Sequence, residues 1–492
     1  MISGKLFING KWVDGETKFD VIDPATEQPI GYAYEAGIKE VTEAVKAARS
    51  AFSNWKSMPI EKRSEILLKA VDVILARYDK PGKQTPLKNL IHQEMGKMLP
   101  EADIELVESS DMLRFFATRG PELLVETTPL LDKGLWPTKK SLLVREPVGV
   151  VALIKPWNYP FELPIWALGA ALIAGNTVVL KPSELSSLTG LEIGRVFDDA
   201  GLPPGVLNIV TGPGSTGKYL IESNDIDMVS FTGSIKTGRY VAAECAKRIR
   251  KISLELGGKD PAIVLEDADL ELAANGLIWG AFGNAGQVCA GIKRAYIPEK
   301  TADQLIELLI SKIKILKLGV DIAPLVSRQQ LQKVEEQVSD AIAKGAKVLF
   351  GAKRPDGFTK GFWYLPTVLT NVDNTMLVMS EETFGPVLPI VTYQSLSEAI
   401  ELANNSKFGL GASIWTKDPE AGKAIASQLD AGMVWVNEVN LPFPQCPWVG
   451  VKESGIGLEL SDDGILEYTR IKHISLELSS DQTRVWWFPY NK

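Results

Sequence analysis

Apolar and polar positions follow two alternating periods along most of the chain. Val150-Val151-Ala152-Leu153-Ile154 is apolar on both faces, and Thr177 to Lys181, Val206 to Val210 and Met228 to Phe231 are nearly so. Short apolar runs bounded by turn residues read as strands buried on both sides. Between them, apolar residues recur at helical spacing over about 164–174, 187–200 and 214–222, and from 236 onward. Strands with two apolar faces, spaced by helices, predict an α/β fold with a doubly wound parallel sheet. The alternation resumes downstream: strand 262–265, helix 270–282, strand 294–297, helix 302–316, then strands at 346–350, 387–392 and 412–415. A second α/β unit is therefore expected.

Three stretches break the rhythm. Leu6, Ile8 and Trp12 alternate with polar residues around Asn9-Gly10, which predicts a short hairpin and no targeting leader. Residues 163–180 carry no charge and are almost long enough to cross a bilayer. Pro164, Gly175 and Asn176 instead divide them into a buried helix, a turn and a strand. Residues 125–144 and 471–478 are extended and are expected to pair as an arm. Pro81-Gly82 and Pro86 interrupt a helical stretch near residues 78–90, and Trp486-Trp487-Phe488 close the chain with aromatics. An oligomer contact is the expected role of that tail.

Composition narrows the chemistry. The 492 residues carry 53 Lys and Arg against 61 Asp and Glu, a net charge of −8. That balance disfavours nucleic acid or an anionic membrane as a partner. The two histidines, His92 and His473, stand in no metal or triad motif. The three cysteines, Cys245, Cys289 and Cys446, include no C-x-x-C pair, so a disulfide framework is excluded and no metal is expected. A reducing, cytoplasmic location is the expectation.

Several residues remain as candidates. Gly212-Pro213-Gly214-Ser215-Thr216-Gly217 matches a dinucleotide fingerprint. It lacks the acidic residue about 20 positions on and reads better as a structural turn. Gly233-Ser234 ends a strand and opens a helix, a setting suited to an anion. Cys289 lies between Gly286 and Gly291, where a thiolate nucleophile and a small buried hydrophobe are both open readings. Cys245 fits a helical core position. Glu255, between Leu254 and Leu256 and beside two glycines, is placed for desolvation and hence for general-base work. Asn158, in Pro156-Trp157-Asn158-Tyr159-Pro160, follows a strand and offers a rigid amide to an oxyanion. Lys181 and Glu184, after the next strand, suit the two hydroxyls of a ribose.

Taken in order, P-W-N-Y-P-F, K-P-S-E, F-T-G-S, L-E-L-G-G-K, G-Q-V-C and Glu382-Thr383-Phe384-Gly385-Pro386 resemble the NAD(P)-dependent aldehyde dehydrogenase superfamily, from about residue 7 to 478. The resemblance implies its fold: a doubly wound cofactor domain (1–124 and 145–254), an α/β catalytic domain (255–470), and a small β oligomerisation arm with tail (125–144 and 471–492). It implies a homodimer or homotetramer acting on a small-molecule aldehyde. It makes Cys289 the nucleophile, Asn158 an oxyanion donor and Glu255 the deacylation base. Lys181 and Glu382 would bind ribose hydroxyls, Phe384 would face the nicotinamide, and Gly233, Ser234 and Trp157 the pyrophosphate. A carboxylate at Glu184 repels a 2′-phosphate, which favours NAD while leaving NADP possible.

The same resemblance puts Tyr159, Leu163, Trp166, Phe282, Gly283, Val288, Pro442 and Trp448 along the aldehyde tunnel. These are mostly apolar, so an apolar aliphatic or aromatic aldehyde is expected. Relatives often carry an aromatic residue where Gly283 stands, so a wider tunnel is expected there, unless a neighbour such as Phe282 or Trp448 fills the gap. Val449 replaces a usual glycine, and Leu458 stands where many relatives have Arg. Two rivals share these residues: a CoA-acylating dehydrogenase, which Glu255 disfavours, and a thiol esterase without redox chemistry.

Overall fold

Asn9 and Gly10 both take positive φ, 54° and 70°, and between them they turn Leu6–Ile8 back onto Lys11–Val13. That is the conformation a two-residue hairpin demands, and Asn-Gly supplies it at low steric cost. In this computed structural model, which describes residues 2–78, 86–481, 484 and 486–490, the hairpin forms one edge of an eight-stranded sheet. The proline-glycine interruption expected at residues 81–82 lies outside the described residues.

The middle of that sheet is parallel. Its order is Lys251–Glu255, Met228–Thr232, Val150–Ile154, Thr177–Lys181 and Leu207–Ile209. The chain winds from Val150–Ile154 through Thr177–Lys181 to Leu207–Ile209 and then crosses back to Met228–Thr232, so the winding reverses between Val150–Ile154 and Met228–Thr232. In doubly wound sheets the ligand crevice opens at the carboxyl ends beside that reversal. The helix Glu162–Ile173 is buried along all of its length, which explains the uncharged run from Leu163 without a membrane. Among the described residues no helix is long and apolar enough to cross one. The glycine-rich loop before Gly214–Glu222 is a structural turn: Thr216 Oγ1 donates to the Ala36 carbonyl at 2.8 Å and Ala36 N–H to the Thr211 carbonyl at 2.8 Å.

The chain leaves this sheet at Glu255 and enters the second at Asp260. The second sheet has seven strands in the order Lys347–Phe350, Thr367–Thr370, Val387–Tyr393, Ile292–Pro298, Asp260–Val264, Gly411–Trp415 and Met433–Val436. All neighbouring pairs are parallel except the first. Near its end the chain returns: Gly455–Ile456 pairs antiparallel with Lys251–Glu255 and caps the first sheet. Strands Thr367–Thr370 and Met433–Val436 escape the sequence pattern, because each is four residues long and flanked by irregular chain.

The arm pairs as expected. Lys139–Pro147 runs antiparallel to Thr469–Glu477, with a further bridge from Thr127 to Leu143. Trp486, Trp487, Phe488 and Tyr490 are exposed, and Trp486 meets Trp136 of the arm edge-on at 5.9 Å.

Candidate active site

The nucleophile loop is built by a forced break. Helix Leu270–Phe282 stops at Gly283, and Asn284, Ala285 and Gly286 follow with φ of 49°, 54° and 71°. Three consecutive left-handed residues swing the chain back toward the first sheet. Two of them are not glycine, so the strain is held by neighbours. Gln287 does much of this: its Nε2 donates to the carbonyls of Asn284 and Pro324, and its Oε1 accepts Val326 N–H at 2.8 Å. At Gly286 a Cβ would sit 2.2 Å from the Gly385 carbonyl oxygen, so only glycine lets the two loops touch.

Cys289 emerges from this loop where two cavities meet. One runs outward past Tyr159, Leu163, Trp166, Gly283, Val288, Pro442 and Trp448, and measures about 170 Å³. The other holds Trp157, Asn158, Gly233, Ser234, Glu255, Glu382 and Phe384. Cys289 and Leu163 line both. Burial pushes the Cys289 thiol up to about 12, against the nearby Lys293 ammonium. Cys245 lies buried in the core and Cys446 is exposed, so neither competes for the role.

Asn158 is buried, and one hydrogen of its amide goes to the Gln287 carbonyl at 3.0 Å. The amide carries a second hydrogen, which a substrate oxygen can take. Glu255 sits at the end of its strand with both carboxylate oxygens buried and unpartnered. Desolvation holds its carboxyl well above the usual range, reinforced by Glu459 and opposed by Lys155. Lys155 is itself buried in an ion pair with Glu459 and donates to Thr232 Oγ1 at 3.0 Å.

The second cavity fits a dinucleotide. It crosses the carboxyl ends of the strands beside the winding reversal. Ser234 caps helix Ile235–Ala246 and leaves its N-terminal amides toward the cleft. A Cβ on Gly257 would meet Glu382 Oε2 at 2.5 Å, and Glu382 Oε1 accepts Gly258 N–H at 3.1 Å, so the glycine pair seats that carboxylate. Trp157 and Phe384 stand edge-to-face at 5.3 Å, and Gln330 Nε2 holds the Phe384 carbonyl at 2.8 Å. Lys181 and Glu184 form a separate station at the end of the neighbouring strand, 3.7 Å apart, with Lys181 buried and Glu184 half-exposed.

Phe282 departs from its expected place. It does not line the tunnel but is buried in the catalytic core with Leu277 and Ile292, because the helix points it away from the break at Gly283. The space opposite Gly283 is taken by Trp279, whose Nε1 lies 3.8 Å from where a Cβ would be. Gly283 itself lines the cavity, with Trp279, one helical turn back, beside it.

The sequence reading missed the tunnel's charge. Glu101, Glu108 and Glu162 line it, together with Ile104, Trp279 and Asn440. Glu101 is tied down by the N–H groups of Asn284 at 2.6 Å and Met98 at 3.0 Å. Burial pushes Glu108 up to about 7 and Glu162 well above the carboxylate range. Glu162 Oε2 is buried without a partner. Lys97, the nearby cation, is committed to Glu105 at 2.5 Å and lies over the Tyr159 ring at 3.5 Å. Residues 101, 104 and 108 of helix Leu99–Leu123 share one face, and that i, i+3, i+7 spacing of two carboxylates was the readable signal.

The aldehyde dehydrogenase family model matches residues 12–474. The chain belongs to the aldehyde dehydrogenase family. It is 37% identical over 490 residues to betaine aldehyde dehydrogenase of Bacillus subtilis, covering 96% of this chain and 97% of the relative. It is 38% identical over 495 residues to a chloroplastic aminoaldehyde dehydrogenase of Arabidopsis thaliana, covering 98% and 97%. The crystal structure of betaine aldehyde dehydrogenase from Staphylococcus aureus in complex with NAD+ superposes with a TM-score of 0.93 at 33% identity, covering 98% of this chain and 96% of that one. This dehydrogenase is accordingly an NAD(P)-dependent oxidoreductase acting on aldehydes.

Proposed function

We propose that this aldehyde dehydrogenase oxidises small aldehydes bearing a cationic amine, with NAD. The observation that carries the reading is the group of three carboxyls, Glu101, Glu108 and Glu162, lining a tunnel otherwise walled by aromatic and apolar side chains. Carboxyls gathered in a partly buried tunnel are costly to ionise unless a cation joins them. An ammonium group does so, and Tyr159, Trp166, Trp279 and Trp448 offer it aromatic faces. The names of the relatives, betaine and aminoaldehyde dehydrogenases, support the same class. The expected apolar substrate gives way, because the sequence reading counted the tunnel's aromatics without its carboxylates.

The chemistry follows from the residues. With an aldehyde carbonyl beside Cys289 Sγ, the thiol gives its proton to water and the sulfur adds to carbon, giving the anion of a thiohemiacetal. The developing oxyanion takes the free hydrogen of the Asn158 amide and the Cys289 N–H. When bound, the nicotinamide supplies the hydride acceptor that turns this adduct into a thioester. Glu255 then takes a proton from water, whose oxygen attacks the thioester carbon and frees the acid and the thiol. Lys181, Glu184 and Glu382 would hold ribose hydroxyls, and Ser234 and Trp157 the pyrophosphate. The paired arm and its exposed aromatics serve self-association in this reading.

The test compares cations with neutral isosteres. 3-Aminopropanal against butanal, and its trimethylammonio analogue against 4,4-dimethylpentanal, differ mainly in charge. The cations should win by about tenfold or more in kcat/KM, the scale of one partly screened ion pair. Glu108→Gln should shrink that ratio. Because Glu108 sits near 7, cation binding should tighten as pH rises through about 7, while the isosteres stay flat. Equal use of isosteres would overturn the substrate class and leave the enzyme class intact.

Cofactor choice has its own test. Removing the charge in Glu184→Ser should raise NADP use relative to NAD about tenfold, since a unit repulsion near 4 Å costs roughly 1–4 kcal/mol. An unmoved ratio of kcat/KM values would show that Glu184 does not face the ribose.

A further inference from the structure

We propose that Lys293 is a positioning residue for the acylation step: its ammonium clamps the carbonyl side of the Val288–Cys289 peptide, and so aims and strengthens the Cys289 N–H at the substrate oxyanion. Lys293 opens the fully buried strand Ile292–Pro298 with Ile292, and only 4% of its surface is exposed. Its Nζ donates to three carbonyls of the nucleophile loop: Val288 at 2.7 Å, Cys289 at 2.6 Å and Gly291 at 3.2 Å. Among the described residues no carboxylate lies within salt-bridge distance of it, so its direct partners are peptide carbonyls, with the Asp260 carboxyl acting on it from farther away.

That arrangement is costly if its only purpose is to tie a loop. A neutral donor would satisfy carbonyl oxygens without burying a charge. The geometry shows what the charge adds. A trans peptide is planar, so the Val288 carbonyl and the Cys289 N–H point in opposite directions. Holding the carbonyl from behind sets the direction of the N–H in front. The ammonium also draws electron density toward the carbonyl oxygen and leaves the N–H more positive, as in any polarised hydrogen-bond chain. Cys289 N–H donates to no protein acceptor among the described residues, so it is free for a substrate oxygen. The grip on the Cys289 carbonyl pins the next peptide, so both amides flanking the sulfur are held.

The same charge bears on the sulfur. Lys293 favours the thiolate, while burial, Asp260, Glu382 and Glu255 disfavour it. Tyr159, on the tunnel side, also senses the Cys289 charge. Among these groups Lys293 is the cation that acts on Cys289. In the sequence, Lys293-Arg294 resembles the polar edge of a surface strand, which hid the role.

The experiment uses Lys293→Met, Lys293→Gln and Lys293→Arg in the full-length enzyme. The Gln variant keeps N–H donors and loses the charge, whereas Arg keeps the charge. NAD affinity and thermal midpoint check folding. The readouts are the pre-steady-state NADH burst rate and the pH profile of Cys289 alkylation by iodoacetamide. Loss of the charge should slow the burst about tenfold or more, less than removal of a whole oxyanion donor. It should also move the alkylation profile to higher pH, with KM and NAD affinity within about threefold of wild type. Lys293→Arg should recover most of both. A Gln variant with wild-type burst and profile would overturn the proposal, and it decides the matter if the Met variant fails to fold.

Discussion

Cys289→Ala should abolish NADH production from every aldehyde, by at least about 10⁴-fold in kcat/KM, while NAD binds as before. The size follows from where the sulfur stands. Cys289 is the reactive side chain shared by the substrate and cofactor cavities, so without it no carbon is attached at their junction. The neighbouring groups cannot replace it. Asn158 is an amide, and desolvation holds the buried Glu255 carboxyl well above the usual range, which makes it a poor nucleophile. Cys245→Ala and Cys446→Ala should keep most activity, since one is core and the other is exposed. NADH absorbance and an NAD titration followed by tryptophan fluorescence read the two halves separately. Turnover above about one per cent in the alanine variant would defeat the mechanism.

Glu255→Gln should cut steady-state turnover about 10²- to 10⁴-fold, the usual worth of a general base. The burst of NADH should survive, because carbon–sulfur bond formation does not use this carboxylate. An acyl adduct should then accumulate on the protein and appear by intact mass. The pH dependence carries a sign. Burial raises the Glu255 pKa, so the basic form grows as pH rises, and wild-type turnover limited by deacylation should rise with it. The glutamine variant should lack that rise. The wild type should also turn over without CoA, which separates it from a CoA-acylating enzyme. Unchanged turnover in Glu255→Gln would remove the carboxylate from the deacylation step.

Much of this was readable before any coordinates, and the reason is local. Val150–Ile154 and its parallel neighbours announce themselves because a strand buried on both faces has no polar alternate residue. Cys289, Glu255 and Asn158 each stand in a short motif, with glycine, proline or tryptophan beside it, so their neighbours in sequence already describe their setting. The tunnel was different. Glu101 and Glu108 come from a helix over 150 residues before Cys289 and look like the solvated face of an ordinary amphipathic helix. Only the packing of that helix against Glu162–Ile173 shows that those carboxylates face a cavity. Phe282 failed for the complementary reason: adjacency to Gly283 in sequence suggested a shared wall, but a helix ends between them and turns the ring inward. Lys293 was hidden because backbone carbonyls, its partners, leave no mark on a sequence.

The late return of the chain to the first sheet bears on how a ribosome makes this enzyme. Until Gly455–Ile456 has emerged, strand Lys251–Glu255 has an open edge, and until Glu459 arrives, Lys155 has no carboxylate partner. The strand that carries Glu255 is therefore completed by residues about 200 positions further along the chain. Residues 455–459 thus give that strand its outer neighbour and Lys155 its carboxylate, and a fragment ending before residue 455 leaves a sheet edge unpaired.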